Sequence, residues 1–307
     1  MKKECIFERE STVGMKKFLY FGAVAVLALA ASCTGGKPVF QTEKHSSELT
    51  ADYARLSIQA ELPLATTDGA SVMRQTLVDV MDKALSHIDT YEQKRFFPRF
   101  DGDVNDSGAL FSYYENHALE EITFLSQGMF DERAEGIRES ETLSDEEKEK
   151  FVADFPGWEF DFNLEKTWET DLIAVFDSQN YVYMAGAHGG VIGEGPMTFD
   201  KQSGMRIRDF FVDGAEKDMQ SLLRDGMLEY FKERMAAVGS ELEDHLNLKN
   251  GLIPLPQWAP RPCQDGLTFI YQQYEVAAYV DGMPEFTLAY EDVAPYLLPE
   301  AKRDLGL

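Results

Sequence analysis

The apolar positions change period several times along the chain, and each change marks an element. From Tyr53 to Leu62, the residues Leu56, Ile58, Ala60 and Leu62 alternate with Arg55, Ser57, Gln59 and Glu61, which predicts a strand with one wet face. Between Ser71 and Ile88 the period becomes helical, with Met73, Leu77, Val80, Met81, Ala84 and Ile88 on one stripe. Leu110 to Leu125 repeats that pattern through Phe111, Tyr114, Ala118, Ile122 and Leu125. Ser144 followed by Glu147 has the spacing of a capping box and opens a short charged helix toward Phe151.

Extended chain follows. Trp158, Phe160 and Phe162 alternate, Leu172 to Phe176 is an apolar run, and Tyr181 to Met184 comes after a predicted turn at Ser178-Gln179-Asn180. Met197 to Asp200 and Met205 to Ile207 read as a hairpin joined across Lys201 to Gly204. A helix from Ala215 to Val238 carries Met219, Leu222, Leu223, Tyr230, Phe231 and Met235 at core spacing. Strands are expected again at Leu267 to Gln272 and Phe286 to Ala289, and a short terminal helix at Glu291 to Leu298. Strands and helices cluster instead of alternating strictly, so the expected class is α+β: an antiparallel sheet with packed helices in two adjoining subdomains, residues 50–155 and 156–307.

The stretch ahead of these elements reads as an address. Lys16 and Lys17 precede an apolar and small run from Phe18 to Ala31, followed by Ser32, Cys33, Thr34 and two glycines, the order of a secretory signal. The run is shorter than the ~18–20 residues a spanning helix requires. Leu29-Ala30-Ala31-Ser32-Cys33 resembles the lipobox of bacterial lipoproteins, with the leucine one step further from the cysteine than usual. The expectation is a signal peptide over residues 1–32, for which Met15 is a better start than Met1 because Glu8 and Glu10 dilute the positive end. Cys33 then carries the lipid, and the polar residues 33–49 form a flexible tether to a bacterial membrane, placing the folded part outside the cytoplasm at the cell envelope, periplasmic or surface-exposed.

Cysteine count and charge sharpen this. With Cys5 removed and Cys33 acylated, Cys263 has no intramolecular partner, so no disulfide framework is expected and the fold rests on its core. The chain has a formal charge of -25; loss of residues 1–32, with five Lys/Arg and three Glu, leaves -27. So acidic a surface repels phosphate backbones, which excludes nucleic acid, and steers cationic partners toward it.

Catalytic and metal motifs are sparse. His45, His87, His117, His188 and His245 are scattered without His-Glu-x-x-His or His-x-His spacing, so no metal site and no cofactor is expected. Asp101-Gly102-Asp103-Val104-Asn105-Asp106 spaces oxygen donors like a calcium loop, but Asp106 stands where such loops need glycine and Ser112 where they need a bidentate glutamate, so a polar surface loop is the better reading. There is no nucleophile elbow, Walker loop or dinucleotide-binding pattern. The 54 acidic residues supply carboxylate pairs for glycoside cleavage by abundance alone, which is not evidence.

Two longer patterns are more specific. One runs Tyr181-Val-Tyr183-Met-Ala-Gly186-Ala-His188-Gly189-Gly190 and continues through Thr198-Phe199-Asp200, Gly204 and Asp209-Phe210-Phe211. The other runs Asp265-Gly266-Leu267-Thr-Phe269-Ile-Tyr271-Gln-Gln-Tyr274-Glu275-Val-Ala-Ala-Tyr279 and closes with Gly282, Glu285-Phe286 and Tyr290. Together, over about Asp161 to Leu298, they resemble the extracytoplasmic domain of unknown function shared by RsiV-type anti-sigma factors, which sense lysozyme, and PdaC-type peptidoglycan deacetylases. Residues Tyr53 to about Asp154 more weakly resemble its companion domain. Two departures stand out: Ala185 where the family usually has glycine, and Ala278 where it usually has proline. The sigma-binding segment with its transmembrane helix and the deacetylase module of those relatives have no counterpart here, so the resemblance implies the extracytoplasmic module alone.

The candidate ligand-binding residues are Tyr183, Gly186, His188, Gly189, Tyr274, Glu275 and Tyr279, which offer aromatic faces and a carboxylate, as sugar sites do. A structural reading stands beside it, in which the glycines permit positive φ and Glu275 satisfies buried donors. The first expectation is a non-catalytic binding or sensing lipoprotein for a cell-wall glycan or a basic envelope protein such as a muramidase. The alternatives are a hydrolase or deacetylase accessory using His188 and Glu275 as acid and base, and an assembly scaffold.

Overall fold

The computed structural model describes residues 40–87, 95–187, 189–248 and 250–307. The expected signal peptide with Met15, Cys33 at the expected lipidation site, the first part of the expected tether, Ile88 and His188 lie outside the described residues. Six strands form one sheet in the order β1 (Thr42–Ala51), β2 (Ala54–Pro63), β3 (Trp158–Glu169), β4 (Ile173–Met184), β5 (Gly190–Asp200) and β6 (Arg206–Ile207). All neighbours are antiparallel except β2 and β3, which run parallel, Ala54 beside Trp158 through Ala60 beside Leu164. A parallel pair needs a crossover. Here it contains α1 (Asp68–Ser86), α2 (Ser107–Glu139) and α3 (Asp145–Ala153), the last opened by the predicted Ser144/Glu147 capping box.

The crossover helices cover one face of the sheet. Leu56, Ile58 and Leu62 of β2, Phe160, Phe162 and Leu164 of β3 and Phe176 of β4 pack there against Met73, Leu77 and Met81 of α1 and Phe111, Tyr114 and Ile122 of α2. Each fully buried Leu, Ile or Phe contributes on the order of 1.5–3 kcal/mol, so this face is the larger source of stability. Arg74 of α1, 1 % exposed, is satisfied on every side: it donates to the carbonyls of Val104 at 2.8 Å and Pro63 at 2.9 Å and to Ser107 Oγ at 2.8 Å, and pairs with Glu43 at 2.6 Å.

The start of β4 is buried on both faces. Ala174 and Phe176 point toward the crossover helices, whereas Ile173 and Val175 point into a second core. That core gathers α5 (Gln220–Val238) and a three-stranded sheet of β7 (Arg261–Pro262), β8 (Gly266–Ile270) and β9 (Glu285–Ala289), closed by α6 (Tyr290–Val293) and α7 (Pro299–Leu305). One sheet thus runs across residues 155/156, and β4 contributes side chains to both cores.

Four expectations are corrected. Residues 42–49 are not tether but the edge strand β1; its odd residues face α2 and its even residues face solvent, a pattern hidden by polar side chains on both sides. Ser178-Gln179-Asn180 is not a turn: β4 runs through it with a bulge, where the pairing to β5 slips between Ser178 and Asn180. Gly195 opposite the bulge has φ +63°, and a Cβ there would lie 2.3 Å from the Trp258 ring, so only glycine lets the indole cover the kink. The Ala215–Val238 helix is interrupted at Met219 into α4 (Ala215–Asp218) and α5. The terminal helix expected at Glu291 to Leu298 is the four-residue α6 followed by a 3-10 turn at Ala294–Tyr296, and a further helix, α7, follows beyond it.

Among the described residues no helix is long and apolar enough to cross a membrane.

Candidate functional site

The first motif is the end of β4, the connection to β5, and the first residues of β5. Tyr181 and Tyr183 sit on the solvent side of β4, beside Asp161 and Glu159 of β3. Arg55 of β2 reaches both acids, at 3.1 Å from each. Past Met184 the chain tightens: Ala187 N donates to the Met184 carbonyl at 2.9 Å, and Gly186 N donates to Tyr183 Oη at 3.2 Å. Ala185 and Gly186 hold φ of +30° and +95°. Gly189 lies directly over Tyr181, because a Cβ at Gly189 would come 2.1 Å from the phenol oxygen. The loop can fold back onto the tyrosine only without a side chain there.

The second motif is the loop between β8 and β9. Glu275 holds it in shape, its two oxygens accepting from the backbone N–H of Gln257 at 2.7 Å and of Gln272 at 2.8 Å. Burial pushes the Glu275 carboxyl up and those two bonds pull it back, with the net shift upward. Asn247 N donates to the Val276 carbonyl at 2.7 Å, and buried Tyr271 donates to the Pro254 carbonyl at 2.8 Å. Ala278 takes φ -70° and ψ 155°, a conformation that a proline would also adopt.

The two motifs meet. Tyr279 Oη donates to the Gly189 carbonyl across ninety residues of sequence, and Gln273 Oε1 accepts from Val191 N at 3.2 Å. Tyr274 lies with its ring centroid 5.7 Å from that of Tyr279, is 71 % exposed and holds a φ of +66°. Tyr181, Tyr183, Tyr274 and Tyr279 therefore belong to one surface built around the Gly186–Gly189 loop, with Asp161 and Glu159 on its flank. Of the residues singled out in the sequence, Tyr183, Gly186, Gly189, Tyr274 and Tyr279 converge here. Glu275 is in the same loop, where each of its oxygens accepts from a backbone N–H, of Gln257 and of Gln272, so the role its contacts show is to hold the loop in shape.

Sequence reading missed Gln273 and the Arg55–Glu159–Asp161 group. Gln273 lies within the quoted motif, but nothing local marks its side chain as the one that crosses. Arg55 and Asp161 sit a hundred residues apart and become neighbours only through the parallel pairing of β2 and β3.

Two concave regions lie nearby. One cleft of about 290 Å³ is lined by Asn247, Asn250, Leu252, Gln257 and Glu275, and another of about 250 Å³ by Arg208, Phe211, Trp258 and Pro260. Neither is lined by the tyrosines. Among the described residues no group of three or more His, Cys, Asp or Glu is placed to hold a metal ion. In the calcium-like loop, Asp106 caps α2 by accepting from Ala109 N at 3.1 Å and Asp103 closes a turn by accepting from Asn105 N at 2.9 Å.

A mostly antiparallel six-stranded sheet with a second three-stranded sheet, helices covering both, defines an α+β protein with two sheets. Residues 208–291 match the family model described as a protein of unknown function (DUF3298). The fold is similar to that of a solved member of this family from Bacteroides fragilis, at 18% sequence identity, covering 87% of this chain and 95% of that chain with a TM-score of 0.56. It is also similar to a solved family protein from Pseudomonas aeruginosa, at 14% identity, covering 87% and 96% with a TM-score of 0.52. No curated protein matches the chain.

Proposed function

We propose that this protein is a non-catalytic binding or sensing module held by a lipid on Cys33 at the outside of a bacterial membrane, and that its ligand surface is the tyrosine cluster around the Gly186–Gly189 loop. The observation that carries the reading is the bond from Tyr279 to the Gly189 carbonyl, which joins the two motifs, with Tyr274 left standing in solvent beside it. Exposed aromatic faces stack on the apolar faces of sugar rings and attract cationic side chains. Asp161 and Glu159 add negative charge on the flank, and the whole chain, at -25, adds a long-range field of the same sign. Ligands that answer this chemistry are a cell-wall glycan or a basic envelope protein such as a lysozyme-like muramidase.

The RsiV-type and PdaC-type resemblance supports the same choice, since the first group senses lysozyme and the second deacetylates peptidoglycan. The test is a titration of the full chain in detergent with soluble peptidoglycan fragments and, separately, with hen lysozyme as the basic probe. It is run first at low salt, where the attraction between exposed charges is strongest. Saturable binding to either ligand is the expected result; heat or signal no larger than that of buffer for both sinks the proposal.

A further inference from the structure

The β1 edge of the large sheet is ten residues long and, among the described residues, has no strand on its outer side. Its backbone orientation follows from the ladder. Leu64 N donates to the Gln41 carbonyl at 2.8 Å, continuing the β1–β2 register in which Thr42 faces Pro63. In an antiparallel ladder the bonded pairs alternate. The N–H and C=O groups of the odd residues are therefore spent on β2, and those of Thr42, Lys44, Ser46, Glu48 and Thr50 point away from the sheet. Of these, Lys44, Ser46, Glu48 and Thr50 are exposed and Thr42 is half-buried, and no bulge or proline interrupts them.

Natural sheets blunt such an edge, because it is a template for another strand. Charged side chains are one such device, but here Lys44 and Glu48 form a pattern that is complementary to itself. An antiparallel copy centred on Ser46 puts each Lys44 opposite the Glu48 of the other strand, on the same face and in a hydrogen-bonded pair, with Thr42 opposite Thr50. Opposite charges directly across a pair favour the register, and a slip by two residues leaves Lys44 opposite Ser46 or Thr50 and Glu48 opposite Thr42 or Ser46, so both charge pairs are lost. Both side chains are well exposed, at 71% for Lys44 and 68% for Glu48, although Lys44 also reaches Glu61 at 3.1 Å and Glu48 lies 3.9 Å from Arg55.

We propose that the occupant of this edge is a second copy of the chain, joined β1 to β1 about a two-fold axis through Ser46, which makes one continuous sheet of the two large sheets. The net negative charge opposes any such pairing at low salt, so the contact belongs to ordinary ionic strength, about 0.15 M, where long-range repulsion is screened and the touching pairs are not. The pairing leaves the tyrosine surface uncovered, because that surface lies on β4 and the β8–β9 loop. It does not depend on what that surface binds.

The test is cysteine crosslinking of the full chain in detergent, read on a non-reducing gel against the unsubstituted chain, with sedimentation of the same samples. Hydrogen-bonded antiparallel neighbours have Cα atoms about 5.5 Å apart, within disulfide reach. Ser46→Cys is expected to give a covalent dimer under mild oxidant, and Thr50→Cys, which faces Thr42 and not its own twin, less than a tenth as much. Ser46→Pro, which removes an N–H that the single chain does not use, is expected to sediment as monomer with its melting temperature unchanged, and Glu48→Lys to weaken the dimer at least fivefold. A chain that sediments as monomer well above micromolar concentration, or equal crosslinking from Ser46→Cys and Thr50→Cys, overturns the proposal.

Discussion

Tyr274 holds a left-handed backbone conformation that costs a side-chain-bearing residue about 1–2 kcal/mol, and its ring, largely in solvent, recovers little of that by burial. A strained, exposed aromatic is retained at a cost to the fold, which points to a role outside it. Tyr274→Gly is therefore expected to raise stability, by up to about 1 kcal/mol in urea denaturation; a loss of stability instead would assign the ring a packing role. Asp82 illustrates the opposite case, a polar group committed to the interior. Burial raises its carboxyl, but the hydrogen bonds from Arg95 at 2.5 Å and Tyr114 at 2.9 Å outweigh that and hold it below the usual carboxylate range. A carboxyl lowered in the folded state contributes stability that is present above its unfolded value, about 3.9, and is lost as pH falls through the folded one. Denaturation midpoints of Asp82→Asn measured from pH 6 down to pH 2 are expected to fall less steeply below pH 4 than those of the parent. Parallel curves would remove Asp82 from the acid response.

At the level of elements, α5 lies against β9 because Gly226 leaves room for the Phe286 ring: a Cβ there would come 2.2 Å from it. Helix propensity alone makes Gly→Ala favourable by about 1 kcal/mol, while overpacking costs about 1–3 kcal/mol. Phe286 is buried and stacked on Phe269 at 5.7 Å, so it has little freedom to withdraw, and the packing cost should win. Gly226→Ala is expected to lower the urea midpoint, and a higher midpoint would show that α5 can shift. The same contrast between local and tertiary signals explains what the sequence conveyed. The strands with one apolar face, β2 and β3, and the stripes of α1 and α5 were legible because burial on one side imposes a period. Nothing of that kind marks β1, whose faces are both polar and whose existence depends on β2. Nor did it mark the β4 bulge, where Ser-Gln-Asn has turn chemistry but Asn180 Oδ1 accepts from Asn163 N at 3.2 Å and keeps the strand in the sheet. In the candidate surface, the tyrosines and glycines stood out by type and spacing, whereas Gln273, Arg55 and Asp161 acquire their places only from long-range pairing.

Over the whole molecule, the strand that serves two cores also brings the two motifs together. β4 ends in the first motif, and the second core that its opening residues help to build carries the β8–β9 loop back to meet it. An ion pair spans the same junction: half-buried Arg261 of β7 binds buried Asp177 of β4 at 3.1 Å and also Glu285 of β9. Burial nonetheless raises the Asp177 carboxyl, and Arg261 and Gln179 only partly oppose that. The proposed address is testable separately from the surface. Growth with a labelled fatty acid should label the chain in a bacterial host and leave Cys33→Ser unlabelled and released from membranes; equal labelling of both would end the lipoprotein reading. The proposition on which the functional account stands is that Tyr274 and its neighbours form a ligand surface. The most direct measurement is a calorimetric titration of soluble peptidoglycan fragments and of hen lysozyme into the parent chain and into Tyr274→Gly, with melting temperatures recorded on the same preparations. The account predicts at least tenfold weaker binding by the variant, of whichever ligand the parent takes, with its melting temperature equal or higher. Unchanged affinity in a folded Tyr274→Gly chain would contradict it.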